Sequence, residues 1–155
     1  MNAQAILTVV LTSTLAAAPA QAAGPKPAEG FSLHVDAKLH FPGNKDMIAH
    51  HYCKAVAGMT QCLLFDSDNA DAHLVGVEVI VGPDVYNKFD DGEKKLWHYH
   101  RTEVPKVSAT LPDLSEEEAK KVLEGILETY GKVYLLWDPG KIDEPTGNPS
   151  VTLLE

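Results

Sequence analysis

Basic residues are scarce in this chain. Thirteen Lys and Arg stand against 22 Asp and Glu, a net charge of -9, so no broad cationic surface exists to neutralise a phosphate backbone or an anionic bilayer. Nucleic acid is therefore excluded as an expected partner. Cysteine is rare too, at 2 of 155 residues, which excludes a disulfide-dense scaffold. The 11 Gly and 10 Pro follow no collagen-like period, and no Gly-rich phosphate loop, nucleophile elbow or paired Cys-x-x-Cys ribbon is found. What is present, 45% hydrophobic and 23% charged residues, suits one globular domain with an ordinary core.

The one sustained apolar stretch, residues 5–18, is broken only by Thr8, Thr12, Ser13 and Thr14 and is followed by Pro19 and Ala20-Gln21-Ala22. That pattern is a cleaved signal peptide over residues 1–22, although its first four residues carry no Lys or Arg. It is shorter than the roughly 20 apolar residues needed to span a hydrocarbon core. The expected product is periplasmic or secreted, with no transmembrane anchor after cleavage. Residues 23–30 (AGPKPAEG) read as a flexible leader, and the folded domain is expected over residues 31–155. Nothing in the sequence assigns an oligomeric state.

Two strand-like runs, residues 48–54 and 60–66, flank Ala57-Gly58 and form a hairpin. With those two residues as its central pair, Cys53 faces Cys62, Tyr52 faces Leu63 and His51 faces Leu64. A longer bulged loop would shift this register. Residues 72–81 form a β-branched run suited to a central strand, with Gly76 allowing close backbone approach and Glu78 in need of a partner. Short helices are expected over residues 83–89 and 93–97, and a strand over residues 98–107. Residues 116–130 form a long amphipathic helix, with Ser115 and Glu118 as its capping box and Gly131 as its stop. A strand over residues 133–137 and an extended tail over residues 139–149 follow. Strands and helices do not alternate regularly, so the fold class is α+β: a single domain, mostly antiparallel, with one long amphipathic helix and short helices.

Histidine carries the main chemical signal. Of seven, six lie between His40 and His100, in two tight groups, His50-His51-Tyr52-Cys53 and Trp97-His98-Tyr99-His100. On a strand, His98 and His100 project to one face about 7 Å apart, close enough to grip one metal ion. A third ligand comes from His50, His51, His40, Glu103 or Glu78. Imidazole with carboxylate suits a transition metal such as zinc better than calcium. His34 and His73 are assigned surface or structural places. Three readings follow: a non-enzymatic protein binding a transition metal or polar ligand, a metal-dependent hydrolase with Glu103 or Glu78 as general base, or a structural or interaction domain whose histidines complete hydrogen bonds. Cys53 and Cys62 enclose eight residues; opposed on a hairpin in an oxidising compartment they form a disulfide. The competing role, metal ligand or activated thiolate, requires them reduced.

The ordered set His40-Phe41, His50-His51-Tyr52-Cys53, Gln61-Cys62, Asp66-Ser67-Asp68, Leu74-Val75-Gly76-Val77-Glu78 and Lys95-Leu96-Trp97-His98-Tyr99-His100 resembles the oil body-associated protein family. Tyr130-Gly131-Lys132 and the Pro-containing tail are similar to that family's C-terminal segment. The resemblance implies kinship with plant proteins of seed oil bodies and with bacterial and fungal members of unknown function, and it brings no catalytic mechanism. Lipid association is not carried over, because this acidic chain shows no long apolar hairpin able to enter a droplet.

Overall fold

The computed structural model describes residues 27–154, so the expected signal peptide and residues 23–26 of the leader lie outside the described residues. Seven strands make one sheet: β1 (Leu33–Ala37), β2 (Ala49–Val56), β3 (Met59–Phe65), β4 (Leu74–Val81), β5 (His98–Tyr99), β6 (Tyr130–Leu135) and β7 (Ser150–Thr152). Their order is β1-β2-β3-β4-β6-β5, with β7 also on β6. Every pairing is antiparallel. One edge of β6 is taken by β4, and the other is shared by β5, at Tyr130 and Gly131, and β7, at Val133 to Leu135.

The hairpin register is the expected one. Cys53 pairs with Cys62, Tyr52 with Leu63 and His51 with Leu64, because Ala57 and Gly58 both adopt positive φ, 41° and 84°, the tight turn whose twist matches the strands it joins. The two cysteines are disulfide-bonded. Strand β4 is central, and Gly76 makes the close approach: a Cβ there would lie 2.5 Å from the Tyr134 carbonyl oxygen.

The helices are short. They are α1 (Pro83–Tyr86), with Pro at its first turn, α2 (Asp91–Lys94), capped by Asp90, and α3 (His100–Glu103). The strand expected over residues 98–107 stops after two residues. The His100 amide still bonds to the Thr129 carbonyl at 3.1 Å, but the Val104 amide then bonds to the His100 carbonyl at 2.9 Å, and the chain coils away from the sheet. The expected long helix is α4 (Glu116–Ile126), 11 residues, with the Ser115 capping box formed. It ends early because the Thr129 hydroxyl satisfies the Ile126 carbonyl at 2.6 Å and Tyr130 enters β6. There the Tyr130 ring stacks on Tyr86 at 3.7 Å and Tyr99 at 4.8 Å, so its helical spacing was coincidental. Strands β1 and β7 have no counterpart in the sequence reading, and turns rather than one extended run precede β7.

Residues paired across an antiparallel sheet share a face. On the inner face one row reads Leu33, Cys53, Cys62, Glu78, Val133 and Thr152. Beside it run Val35, His51, Leu64, Gly76 and Leu135 on one side, and Thr60, Ile80, Gly131 and His98 on the other. Phe41, Leu64, Val75, Val133 and Leu135 centre the core, each no more than 1% exposed. Glu78 therefore stands inside an apolar face, on the central strand, between two rows that each carry an imidazole.

Candidate metal centre

A buried carboxylate must be paired or it neutralises itself. Glu78, 4% exposed, has three imidazoles. His98 Nε2 and His100 Nε2 lie 3.2 and 3.3 Å from its Oε1, and His51 Nε2 lies 3.4 Å from its Oε2. A fourth ring, His40, meets His51 edge-on at 4.6 Å. The result is two three-ligand sets sharing one carboxylate, His40-His51-Glu78 and Glu78-His98-His100, all buried, with ligand atoms within 4.8 Å of one another in each set.

Strand spacing explains the convergence. His98 lies on β5 and Glu78 on β4, with β6 between them, and the residue between them is Gly131. A Cβ at Gly131 would stand 2.2 Å from Glu78 Oε1, 2.5 Å from His98 Nε2 and 2.7 Å from His100 Nε2. The missing side chain is the gap across which the three groups meet. Read from sequence as a helix stop, Gly131 is instead the floor of the site.

The far sides of the rings fix their tautomers. His51 Nδ1 lies 2.9 Å from the Ala49 carbonyl and 3.1 Å from the Val35 carbonyl, and His40 Nδ1 lies 2.7 Å from the Lys38 carbonyl. Carbonyl oxygens only accept, so both Nδ1 atoms carry the hydrogen. His100 Nδ1 lies 2.8 Å from the Thr129 hydroxyl, whose own hydrogen goes to Ile126; Thr129 must accept, and His100 Nδ1 donates. In the neutral rings of His40 and His51 each Nε2 is then a bare lone pair, whereas His100 Nε2 reaches Glu78 Oε1 at 3.3 Å. This is the outer-sphere arrangement that orients histidine toward a metal.

Burial keeps His40 and His51 neutral, while the imidazoles around it keep the Glu78 carboxylate charged. Burial, with the neighbouring His51, pushes His40 down to about 3. Burial likewise lowers His51, outweighing the attraction of Glu78. For Glu78 burial opposes ionisation, but the hydrogen bonds from His100 and His98 prevail and hold it well below the usual carboxylate range.

Of the residues singled out in the sequence, His40, His51, His98, His100 and Glu78 come together. His50 does not join them. Adjacent strand residues point to opposite faces, so His50 lies on the outer face, where its Nδ1 is 2.7 Å from Asp36 Oδ1 but off the line of a hydrogen bond. His34 joins it there, 3% exposed rather than on the surface, with Nε2 2.9 Å from Asp36 Oδ1 and Nδ1 3.3 Å from Asp113 Oδ2. His73 is exposed and bonds Asp66 at 2.8 Å. Glu103 stands outside both inner ligand sets. Its Oε1 accepts from Lys106 and Thr102, each at 3.2 Å, while its Oε2 is buried with no partner.

The inner cluster opens on a cavity of about 260 Å³ between the sheet and α4, walled by Leu33 and Val35 of β1 and Val122 and Ile126 of α4, and reached also by Glu103.

Fold and site together define an α+β protein with a buried imidazole–carboxylate cluster facing an apolar cavity. A family model described as a protein of unknown function (DUF1264) matches residues 26–153. The chain is 38% identical over 107 residues to oil body-associated protein 1B of Arabidopsis thaliana, covering 68% of this chain and 44% of that protein. To protein 2A of the same plant it is 32% identical over 132 residues, 83% and 53% of the two chains, and to protein 1A of Zea mays 36% over 108 residues, 68% and 45%. The chain belongs to this oil body-associated, DUF1264 family, and spans about half the length of the curated relatives it matches. No solved structure matches it. No helix among the described residues is long and apolar enough to cross a membrane.

Proposed function

We propose that this protein is an exported binding protein that holds one transition-metal ion, such as zinc, on Glu78, His98 and His100, with His51 and His40 as a second arm at the other Glu78 oxygen. The observation that carries this reading is the contact between His51 Nε2 and Glu78 Oε2. The His51 hydrogen is committed to backbone carbonyls on the far side of the ring and burial opposes a second one, so a lone pair faces an ionised carboxylate. A cation on the carboxylate offsets its charge and so relieves that repulsion, even when it is held at the other oxygen. The spacings support it, because a tetrahedron with ligands at about 2.0–2.1 Å has edges of about 3.4 Å, and the His98 and His100 contacts to Glu78 Oε1 are 3.2 and 3.3 Å. Two imidazoles and a carboxylate leave a coordination position free. A bound metal would supply a Lewis-acidic centre beside the cavity.

The hydrolase reading has one observation in its favour. Glu78 is taken up as a ligand, but Glu103 lines the same cavity and carries a buried Oε2 with no partner, so a general base would be Glu103. The test of metal binding is elemental analysis of untagged protein. One ion per chain is expected, lost from a His98→Ala/His100→Ala double variant and retained in His50→Ala, whose ring lies on the other face. Equal, negligible content in all three overturns the proposal.

A further inference from the structure

The helix above the cavity is built for a contact it does not make. Val122, Leu123 and Ile126 lie on the apolar side of α4, yet none of the helix's residues is fully buried. An amphipathic helix gains its stability by burying that stripe. Here the stripe faces open volume instead of the sheet. Gly125 repeats the point. It is exposed at the rim of the cavity, a Cβ on it would meet nothing within 4 Å, and its φ is not positive. A mid-helix glycine costs roughly 0.5–1 kcal/mol relative to Ala, and neither packing nor backbone geometry requires this one. It leaves the mouth unobstructed.

The polar lining narrows the occupant. Glu103 lines the cavity, 9% exposed, and its Oε2 is buried without a partner, so a ligand with a donor at its head would satisfy it. A carboxylate headgroup has none and would be repelled by Glu103 and Glu78. An ammonium would have to be desolvated among Leu33, Val35, Val122 and Ile126, at high cost. A neutral hydroxyl meets both demands, and its oxygen keeps a lone pair for a metal on His98 and His100. In size, a 150 Å³ cavity takes benzene's six heavy atoms, so about 260 Å³ takes roughly ten.

We infer that the cavity between the sheet and α4 binds an unbranched aliphatic alcohol of medium chain length, its hydroxyl donating to Glu103 and its chain lying under α4. Only the approach of its oxygen to a metal rests on the metal reading; the chain and the Glu103 contact do not. The experiment is calorimetric titration of the full-length protein, with and without zinc, using 1-butanol, 1-hexanol and 1-octanol. One saturable site is expected, each methylene strengthening binding about fourfold. Gly125→Phe should abolish octanol binding without lowering the melting temperature, and Glu103→Leu should weaken it about tenfold. Absence of saturable binding, affinity independent of chain length, or undiminished binding in a folded Gly125→Phe protein overturns the inference. The His98→Ala/His100→Ala variant separates the two proposals: octanol binding kept there, with metal lost, upholds the cavity independently of the metal, and octanol binding lost from every folded protein refutes the cavity whatever the metal content.

Discussion

The sharpest perturbation is a single methyl group on β6. In Gly131→Ala the new Cβ would stand 2.2 Å from Glu78 Oε1, 2.5 Å from His98 Nε2 and 2.7 Å from His100 Nε2, whereas unbonded heavy atoms settle at about 3.5 Å. The carboxylate and both rings must each retreat by roughly 1 Å. They can retreat only toward the cavity, away from their present alignment, since Glu78 is on the central strand and His100 is tied to Thr129. Gly131 is not among the positive-φ residues, so the backbone itself accepts Ala and the damage comes from the collision. The atoms that must move are side-chain ends beside the cavity, so the cost to the fold is about 1 kcal/mol, and disturbing metal-ligand geometry costs about 10–100-fold in affinity. The control is Gly125→Ala, which meets nothing and should stabilise by about 0.4–1 kcal/mol. Urea unfolding of metal-free protein reads the first quantity, and competition with a chromophoric chelator reads the second. A Gly131→Ala protein within about 0.5 kcal/mol of the parent, with its zinc affinity intact, would refute the claim that three ligand atoms converge over β6.

Two further outcomes follow from the same site. Thr129→Val removes the acceptor that holds the His100 Nδ1 hydrogen and should weaken metal binding about 10–100-fold with little change in fold, as circular dichroism and chelator competition would show; unchanged affinity would mean that Thr129 does not orient the ring. In metal-free protein, His40 and His51 have folded-state values below 6.5, so below pH 6.5 the unfolded chain takes up protons that the folded chain refuses. Stability is complete above that pH and falls as pH drops, by roughly 1.4 kcal/mol per unit for each histidine. Between pH 6.5 and the carboxylate range near 4.5, where Glu78 is still charged, these rings account for the loss; a flat urea midpoint across that window counts against their burial as neutral groups.

Much of this site was legible where one local rule governs it. The hairpin register follows from a two-residue turn, and it set Cys53 against Cys62. Glu78, alone in a β-branched run, needed a partner and has three. The rest depends on parity and on long-range packing. His50 and His51 look equivalent as a pair of letters, yet a strand sends one to each face, and only knowledge of which face is inner chooses between them. His98 and His100 are joined by a strand-to-helix transition rather than by strand alternation. His40 sits in the irregular segment after β1, held by the Lys38 carbonyl, and no spacing pattern encodes that. Gly131 and Thr129 act on the ligands from outside the coordinating set, so no motif includes them.

The bond between Cys53 and Cys62 has a consequence beyond holding a hairpin closed. Cys62 pairs with Glu78 and Cys53 lies two residues from His51, so the covalent link sits beside the atoms whose alignment matters most. Sliding β2 by one residue would turn His51 outward and His50 inward, exchanging the imidazole over Glu78 for one that lacks its carbonyl anchors. The bridge forbids that slide. It acts as a fastener on coordination geometry, so a mild reductant should loosen the grip on an ion before it melts the sheet.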